Sequence, residues 1–377
     1  MSDDYAYNNS GFLQSNKIVF CDIDFTLVAN PWETTNKIFQ DKKLINLVRK
    51  SFEKSGFVFI TSTSRTEEMM MTPAAFQLSV EKYNFKRPYP RFYTDNVIPT
   101  GILDPDIIIS SSGAKISVKQ KNKGYATDYA FYANDFPDPV SWRKIVFLYL
   151  QSFQSKITFK FAEIEFEKNF QKRLADIYPA DYRIQLNFSA KEQLVMFLEK
   201  FMEKKSLAND PAISGLTLTI DSFPQQNKHV VYITPKKGKT DAMSRVTKSL
   251  SMQWQIPEKE MEILVVGDSY IDFEAGLSID DSKYKQAVLF LVGGSRLFPY
   301  LTQKDENDFG GIDLSSIKTL MKRDLSQSKG IYQYNKPGTK GKVNIILADE
   351  AFPQSVGPKS IIEFFHSKLY NYLVNNK

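Results

Sequence analysis

The chain has a single cysteine, Cys21, and only two histidines, His229 and His366. One thiol excludes any intramolecular disulfide, and so few imidazoles make a Ser-His-Asp hydrolase or a histidine-rich metal site hard to build. No run of eighteen apolar residues occurs, so the usual sequence signal for a membrane-spanning helix is missing. The first ten residues, Met1 to Ser10, are acidic and polar rather than basic and apolar, unlike a secretory signal peptide, and the expected location is the cytoplasm. The net charge is +6, yet no basic block exceeds a few residues. A small anionic substrate accounts for that charge as well as nucleic acid would, so neither nucleic acid nor a membrane is expected as a partner. Internal repeats and low-complexity tracts are also lacking.

Against these absences stands a composition of 14% aromatic and 24% charged residues, which describes a globular chain able to fill a large core. At 377 residues it exceeds the size at which single cores stop growing, so two domains are expected. Its most informative stretch is Lys17-Ile18-Val19-Phe20-Cys21-Asp22-Ile23-Asp24-Phe25-Thr26. The apolar run reads as a central strand of a parallel sheet that delivers Asp22 and Asp24 to its carboxyl edge, where open α/β sheets bind ligands. Two carboxylates so close repel each other unless a cation neutralises them, and Mg²⁺ suits an all-oxygen donor set. The natural division of labour makes Asp22 a metal-bound nucleophile and Asp24 a general acid and base.

Three further segments come next, in order. Val58 to Arg65 is an apolar strand ending in Thr61, Ser62, Thr63 and Ser64; Lys239 opens a helical stretch after the strand Val230 to Ile233; and Glu262 to Asp272 is a strand running into Gly267-Asp268-Ser269. Taken singly, these could be a helix cap, a surface lysine and an N-capped turn. As an ordered set, each after a strand, the four segments resemble the motifs of the haloacid dehalogenase-like (HAD) phosphohydrolase superfamily, and among its branches the sucrose-phosphatase-like and Cof-like proteins with a large inserted cap. The resemblance implies Asp22 as nucleophile and Asp24 as acid/base, with the Asp24 carbonyl also on the metal. It implies Thr63 on the phosphoryl group together with Ser64 and Arg65, and Lys239 offsetting negative charge there. Asp268 becomes a carboxylate on Mg²⁺, and Asp272 either joins through water or holds Lys239. The chain departs from the pattern at Phe25 and Ser64, where relatives carry Gly, at Ile271, where Asn is common, and at Ser112, which stands for an Asn.

The expected fold is α/β: a Rossmann-like doubly wound core with an inserted α+β cap. The core is expected over 1–115 and 230–377, and the cap over 116–229. Helical spacing marks 41–55, closed by Gly56, and 66–83, interrupted by Pro73. Within the insertion, 142–153 and 191–204 read as helices, while 182–188 and 216–220 alternate as strands. Strands are expected at 106–110, 287–292 and 342–347, with an irregular excursion between Gly293 and Gly341. One final amphipathic helix should carry Ile361, Phe365, Leu369 and Tyr372 on one face. The functional expectation is a Mg²⁺-dependent phosphatase acting through an aspartyl-phosphate on a small phosphorylated metabolite, with sugar phosphates favoured by the resemblance. A phosphomutase of the same architecture and a non-catalytic regulatory or scaffold protein are the alternatives.

Overall fold

The computed structural model describes residues 5–8, 10–27, 42–63, 103–121, 125–128, 131, 139–161, 182–223, 227–235, 238–303, 307–323 and 329–375. In chain order the strands are β1 (Lys17–Cys21), β2 (Phe57–Ser62), β3 (Ile107–Ser110), β4 (Lys115–Lys119), β5 (Tyr125–Thr127), β6 (Lys160–Phe161), β7 (Ile184–Phe188) and β8 (Thr217–Phe223). They continue as β9 (Lys228–Thr234), β10 (Glu262–Gly267), β11 (Gln286–Leu291), β12 (Asp308–Phe309), β13 (Ile312–Asp313), β14 (Met321–Arg323), β15 (Ile331–Asn335) and β16 (Lys342–Leu347).

Ten of them form one sheet in the order β14-β15-β16-β11-β10-β1-β2-β3-β4-β5. The six from β16 to β3 are parallel, and the two at each end are antiparallel additions. The chain winds from β1 outward through β2 and β3, then returns to β10 on the other side of β1 and winds out through β11 and β16. The β1–β10 junction is therefore the topological switch point, where the crevice of a doubly wound sheet opens.

Successive residues of β1 bury themselves on opposite faces, Ile18 and Phe20 on one and Val19 and Cys21 on the other. This is why its sequence reads as a continuous apolar run rather than an alternation. The first face is covered by the helices Lys239–Trp254, through Ala242, Val246 and Leu250, and Tyr270–Ser278, through Phe273. The second is covered by Lys42–Lys54, through Ile45, Val48 and Phe52, and by Pro358–His366, through Ile361 and Phe364.

A separate antiparallel sheet has the order β6-β7-β9-β8. One face packs Ile184, Leu186, Val231 and Ile233 against Trp142, Val146, Leu194, Phe197 and Ile213 from three helices. The fold class is thus α/β with a parallel core sheet and an antiparallel insert.

Four details differ from the sequence reading. Strands β4 and β5 extend the large sheet beyond residue 116, because β4 turns back through Ser111-Ser112-Gly113 and pairs with β3 along its length. Strand β9, expected in the core from 230, pairs with β7 and β8, so the second sheet runs through Thr234. The stretch from 293 to 341 is not wholly irregular: it supplies β14 and β15 to the large sheet and the β12–β13 hairpin. The final helix is two, Pro358–His366 and Lys368–Asn375, broken at Ser367, which has an extended ψ of 159° and leaves Tyr372 exposed. The expected helix over 66–83 lies outside the described residues.

At the edge of the sheet opposite the switch-point crevice, Asp106 accepts a hydrogen bond from the Phe59 amide at 2.9 Å. Burial pushes its carboxyl up to about 6 despite that bond and nearby Lys119. Its folded-state pKa lies above its unfolded value, so its contribution to stability is full below pH 4 and lost as the pH rises through 6. Unfolding in urea should show the wild type losing roughly 1–3 kcal/mol across that window relative to Asp106→Asn, which keeps the acceptor and cannot ionise. Parallel pH profiles for the two proteins would contradict the assignment.

Candidate active site

Pairing of Cys21 with Val266 and Thr61 puts the residues just beyond β1, β10 and β2 at one level on one edge of the sheet. Asp22 comes directly after β1, and its amide donates to the Val266 carbonyl at 2.9 Å. Asp268 comes directly after β10. Asp272 lies one turn into the next helix, where its Oδ2 accepts from the Ser269 hydroxyl at 2.7 Å and from the Ser269 amide at 3.4 Å, the latter closing a capping box. The three carboxylates are buried and each offers an oxygen within 4.8 Å of the others.

Gly267 makes this approach possible. A Cβ there would stand 2.2 Å from the Asp272 Cβ, so any side chain drives Asp272 away. Gly267→Ala is expected to cost about 1–3 kcal/mol in urea unfolding, the usual penalty for overpacking. An unchanged midpoint would show that the contact is not needed.

Lys239 reaches the same point from the first turn of its helix. Its Nζ donates to Asp22 Oδ1 at 2.8 Å and to Asp272 Oδ1 at 2.6 Å. The helix start is fixed by backbone packing, because Gly113 and Gly238 approach so closely that a Cβ on Gly113 would lie 2.1 Å from the Gly238 carbonyl carbon. Burial works against the ammonium, but Asp22 and Asp272 together hold it above an ordinary lysine. Asp272 has one oxygen on Lys239 and the other on Ser269, and it also stands in the carboxylate cluster.

Burial foremost, then repulsion from Asp272, holds Asp22 well above the carboxylate range. Asp268 is pushed up to about 7, again by burial, with Asp272 and Asp221 adding and Arg296 opposing. Four carboxylates, those of Asp22, Asp221, Asp268 and Asp272, face two cations, Lys239 and Arg296. Full ionisation therefore leaves two negative charges in a buried site. Asp268 Oδ1 is buried with no hydrogen-bond partner. Carboxylate oxygens, an orphaned acceptor and an excess of two negative charges fit a hard divalent cation.

Asp24 stands half-buried two residues past Asp22, outside the three-carboxylate cluster. Thr63 is fully buried at the end of β2, its amide on the Ile109 carbonyl and its carbonyl accepting from the Ser112 amide. Ser64 and Arg65 lie outside the described residues. Cys21 is a buried thiol whose Sγ donates to the Asp22 carbonyl at 3.3 Å, and burial pushes its pKa up.

The departures from the motif pattern have visible consequences. Phe25 adopts φ +59°, the left-handed region that favours glycine, and its ring lies 6.3 Å from that of Phe223 in β8. Ile271 replaces a polar side chain with an apolar one that packs against Phe223, Val230 and Tyr232 of the second sheet.

Two charged residues went unnoticed in the sequence. Arg296, from the turn after β11, donates from Nε to Asp268 Oδ2 at 2.9 Å, and its Nη1 pairs with Asp221 Oδ1 of β8 at 3.2 Å. The signal for Arg296 was available, since Gly293-Gly294-Ser295-Arg296 comes after an apolar strand at the same sheet edge. Asp221 had none, because its relevance depends on how the second sheet is placed.

No protein-family model matches the sequence, and no curated protein matches it. Solved structures similar to the chain include a haloacid dehalogenase-like hydrolase protein from Bacillus subtilis, 13% identical, with 75% of this chain and 86% of that one covered at a TM-score of 0.35. A sugar phosphatase of HAD subclass IIB is 14% identical, with 74% and 88% covered at a TM-score of 0.36. Trehalose-6-phosphate phosphatase from Aspergillus fumigatus is 13% identical, with 74% and 84% covered at a TM-score of 0.40.

Proposed function

We propose that the chain is a Mg²⁺-dependent phosphomonoesterase of the haloacid dehalogenase type. The observation that carries this reading is Lys239 bridging Asp22 and Asp272 beside Asp268 at the switch point of the sheet. A buried carboxylate held by a fixed ammonium is a nucleophile with its orientation already set, which removes much of the entropic cost of attack.

Asp22 attacks the phosphorus of a phosphate monoester, forming an aspartyl-phosphate, while Asp24 gives a proton to the departing alcohol. Asp24 then takes a proton from the water that attacks the phosphorus, releasing phosphate and restoring Asp22. Lys239 offsets the charge that gathers on the phosphoryl oxygens. Thr63, Ser64 and Arg65 are assigned to binding those oxygens. Asp22, Asp268 and the main-chain carbonyl of Asp24 would hold Mg²⁺, which when bound neutralises the excess negative charge and draws electron density from the phosphoryl group. Asp272 acts by fixing Lys239.

A small phosphorylated metabolite, with a sugar phosphate favoured, is the assigned substrate class. Strand alternation supports it: Gln185, Asn187, Thr219 and Asp221 share the face of the second sheet opposite its helices, interleaved with Val230 and Tyr232, and Gln185 donates to Asn187 at 3.0 Å. Such a face can donate to and accept from hydroxyls, and a wrong alcohol would leave those groups unpaired. Among the described residues no helix is long and apolar enough to cross a membrane.

The test is a phosphatase panel of sugar phosphates, nucleotides and phospholipid head groups, with and without Mg²⁺. Phosphate release should need Mg²⁺, persist with Mn²⁺ and fall with Ca²⁺, which prefers more ligands at longer distances. Undiminished activity in excess chelator, or no release from any ester, would overturn the proposal.

A further inference from the structure

The contacts between the two sheets converge on one side chain. The Arg296 guanidinium lies 4.1 Å from the ring centroid of Phe223 and 5.0 Å from that of Phe25, so it is held between a ring of the second sheet and a ring of the loop that carries Asp22 and Asp24. One end donates to Asp268 and the other pairs with Asp221. Arg296 Nη1 and Asp221 Oδ1 are both buried and form an ion pair 3.2 Å apart. Phe25 sits at φ +59°, the left-handed region that is strained for a residue with a side chain. Strain of that kind persists where the surroundings hold it in place, and here they are the Arg296 and Phe223 contacts.

We propose that Arg296 couples docking of the second sheet to cation binding at Asp268, with Asp221 as the second sheet's half of the couple. This rests on the metal site assigned under the proposed function. With the second sheet docked, Asp221 takes a share of the Arg296 charge and leaves Asp268 freer to bind a cation. With Asp221 withdrawn, the whole guanidinium charge falls on Asp268 and opposes that cation. By linkage, a cation at Asp268 must favour the docked arrangement by the same factor. Arg296 is thus a positioning residue, acting through Asp268 and Asp221 rather than on the phosphate. Interfaces between domains of one chain are small and open by default, so a charge-controlled contact at this point decides how often the site is covered.

Two measurements test this without reference to turnover: Mg²⁺ affinity by titration calorimetry, and amide hydrogen exchange of 217–223 with and without Mg²⁺. In the wild type, saturating Mg²⁺ should slow exchange in 217–223, and Asp221→Asn should abolish that response. Asp221→Asn should weaken Mg²⁺ binding about three- to tenfold, whereas Arg296→Gln should tighten it by a similar factor, since one removes a negative charge near the site and the other a positive one. A merely structural role predicts that both variants weaken binding. Shifts of the same sign, or a wild type that binds Mg²⁺ with no change in 217–223, would overturn the coupling, and the wild-type arm holds even if a variant folds poorly. A chain that binds no Mg²⁺ refutes the proposed function and the coupling with it. Faster exchange of 217–223 in Arg296→Gln would then show that only the docking contact is real.

Discussion

Asp22→Asn should lower turnover by roughly 10³-fold or more while leaving the folded structure in place, because it replaces the proposed nucleophile by an amide of nearly the same volume. The loss should appear in kcat rather than KM, since the side chain's contribution is to bond formation. Stability should change little. The amide oxygen can still accept from Lys239, whose second partner Asp272 is untouched, and one carboxylate that burial disfavours is gone. Steady-state kinetics beside a urea melt separate the two effects. A rate within tenfold of the wild type would remove Asp22 from the mechanism.

The second large effect concerns stability as well as rate. Lys239→Met leaves Asp22 and Asp272 buried without their shared cation, and breaking a buried pair in this way typically costs about 3–5 kcal/mol. The sign of the pH dependence is fixed. Burial already raises the Asp22 carboxyl and Lys239 opposes that rise, so without the ammonium the deficit is largest at neutral pH and shrinks as falling pH protonates Asp22. Denaturant midpoints for both proteins from pH 7 down to 4 should converge. Parallel curves would mean that Lys239 contributes packing rather than charge.

How much of this could be read from the sequence depended on whether a signal was local. The parallel strands β1, β2, β10 and β11 were legible because burial on both faces makes each a short apolar run, and residues just past the carboxyl end of such a run sit where ligands bind. Asp22 and Asp268 stand at such ends, whereas Lys239 and Asp272 were singled out through the resemblance of the ordered motifs, and the four are brought together; Thr63 lies just past β2, and Ser64 and Arg65 lie outside the described residues. Sheet membership was harder. Val230 to Ile233 looks like another buried strand, and nothing in its residues says that it pairs with Ile184 to Phe188 rather than with the core. Strand β14 was hidden by its polar composition, since an edge strand exposes much of its length, and β15 beside it buries only Ile331 and Tyr334, a spacing that does not alternate. The pair of Asp221 and Arg296 joins residues 75 positions apart in different sheets, and periodicity carries no information about it. Ile271 and Phe25 appeared in the sequence only as departures from a pattern; their reason is a surface supplied by the second sheet.

In the proposed reaction phosphate passes through Asp22. Asp24→Asn should slow hydrolysis of the intermediate, because acid/base assistance is worth about 10²–10⁴-fold, and so allow the phosphoenzyme to accumulate. The decisive measurement is mass spectrometry of the Asp24→Asn protein, acid-quenched during turnover of the best substrate from the panel and digested to peptides. One phosphoryl group is expected on the peptide containing Asp22, located to that residue by fragmentation and absent when Mg²⁺ is withheld. Phosphate release in the absence of any such adduct, or an adduct on another side chain, would contradict it.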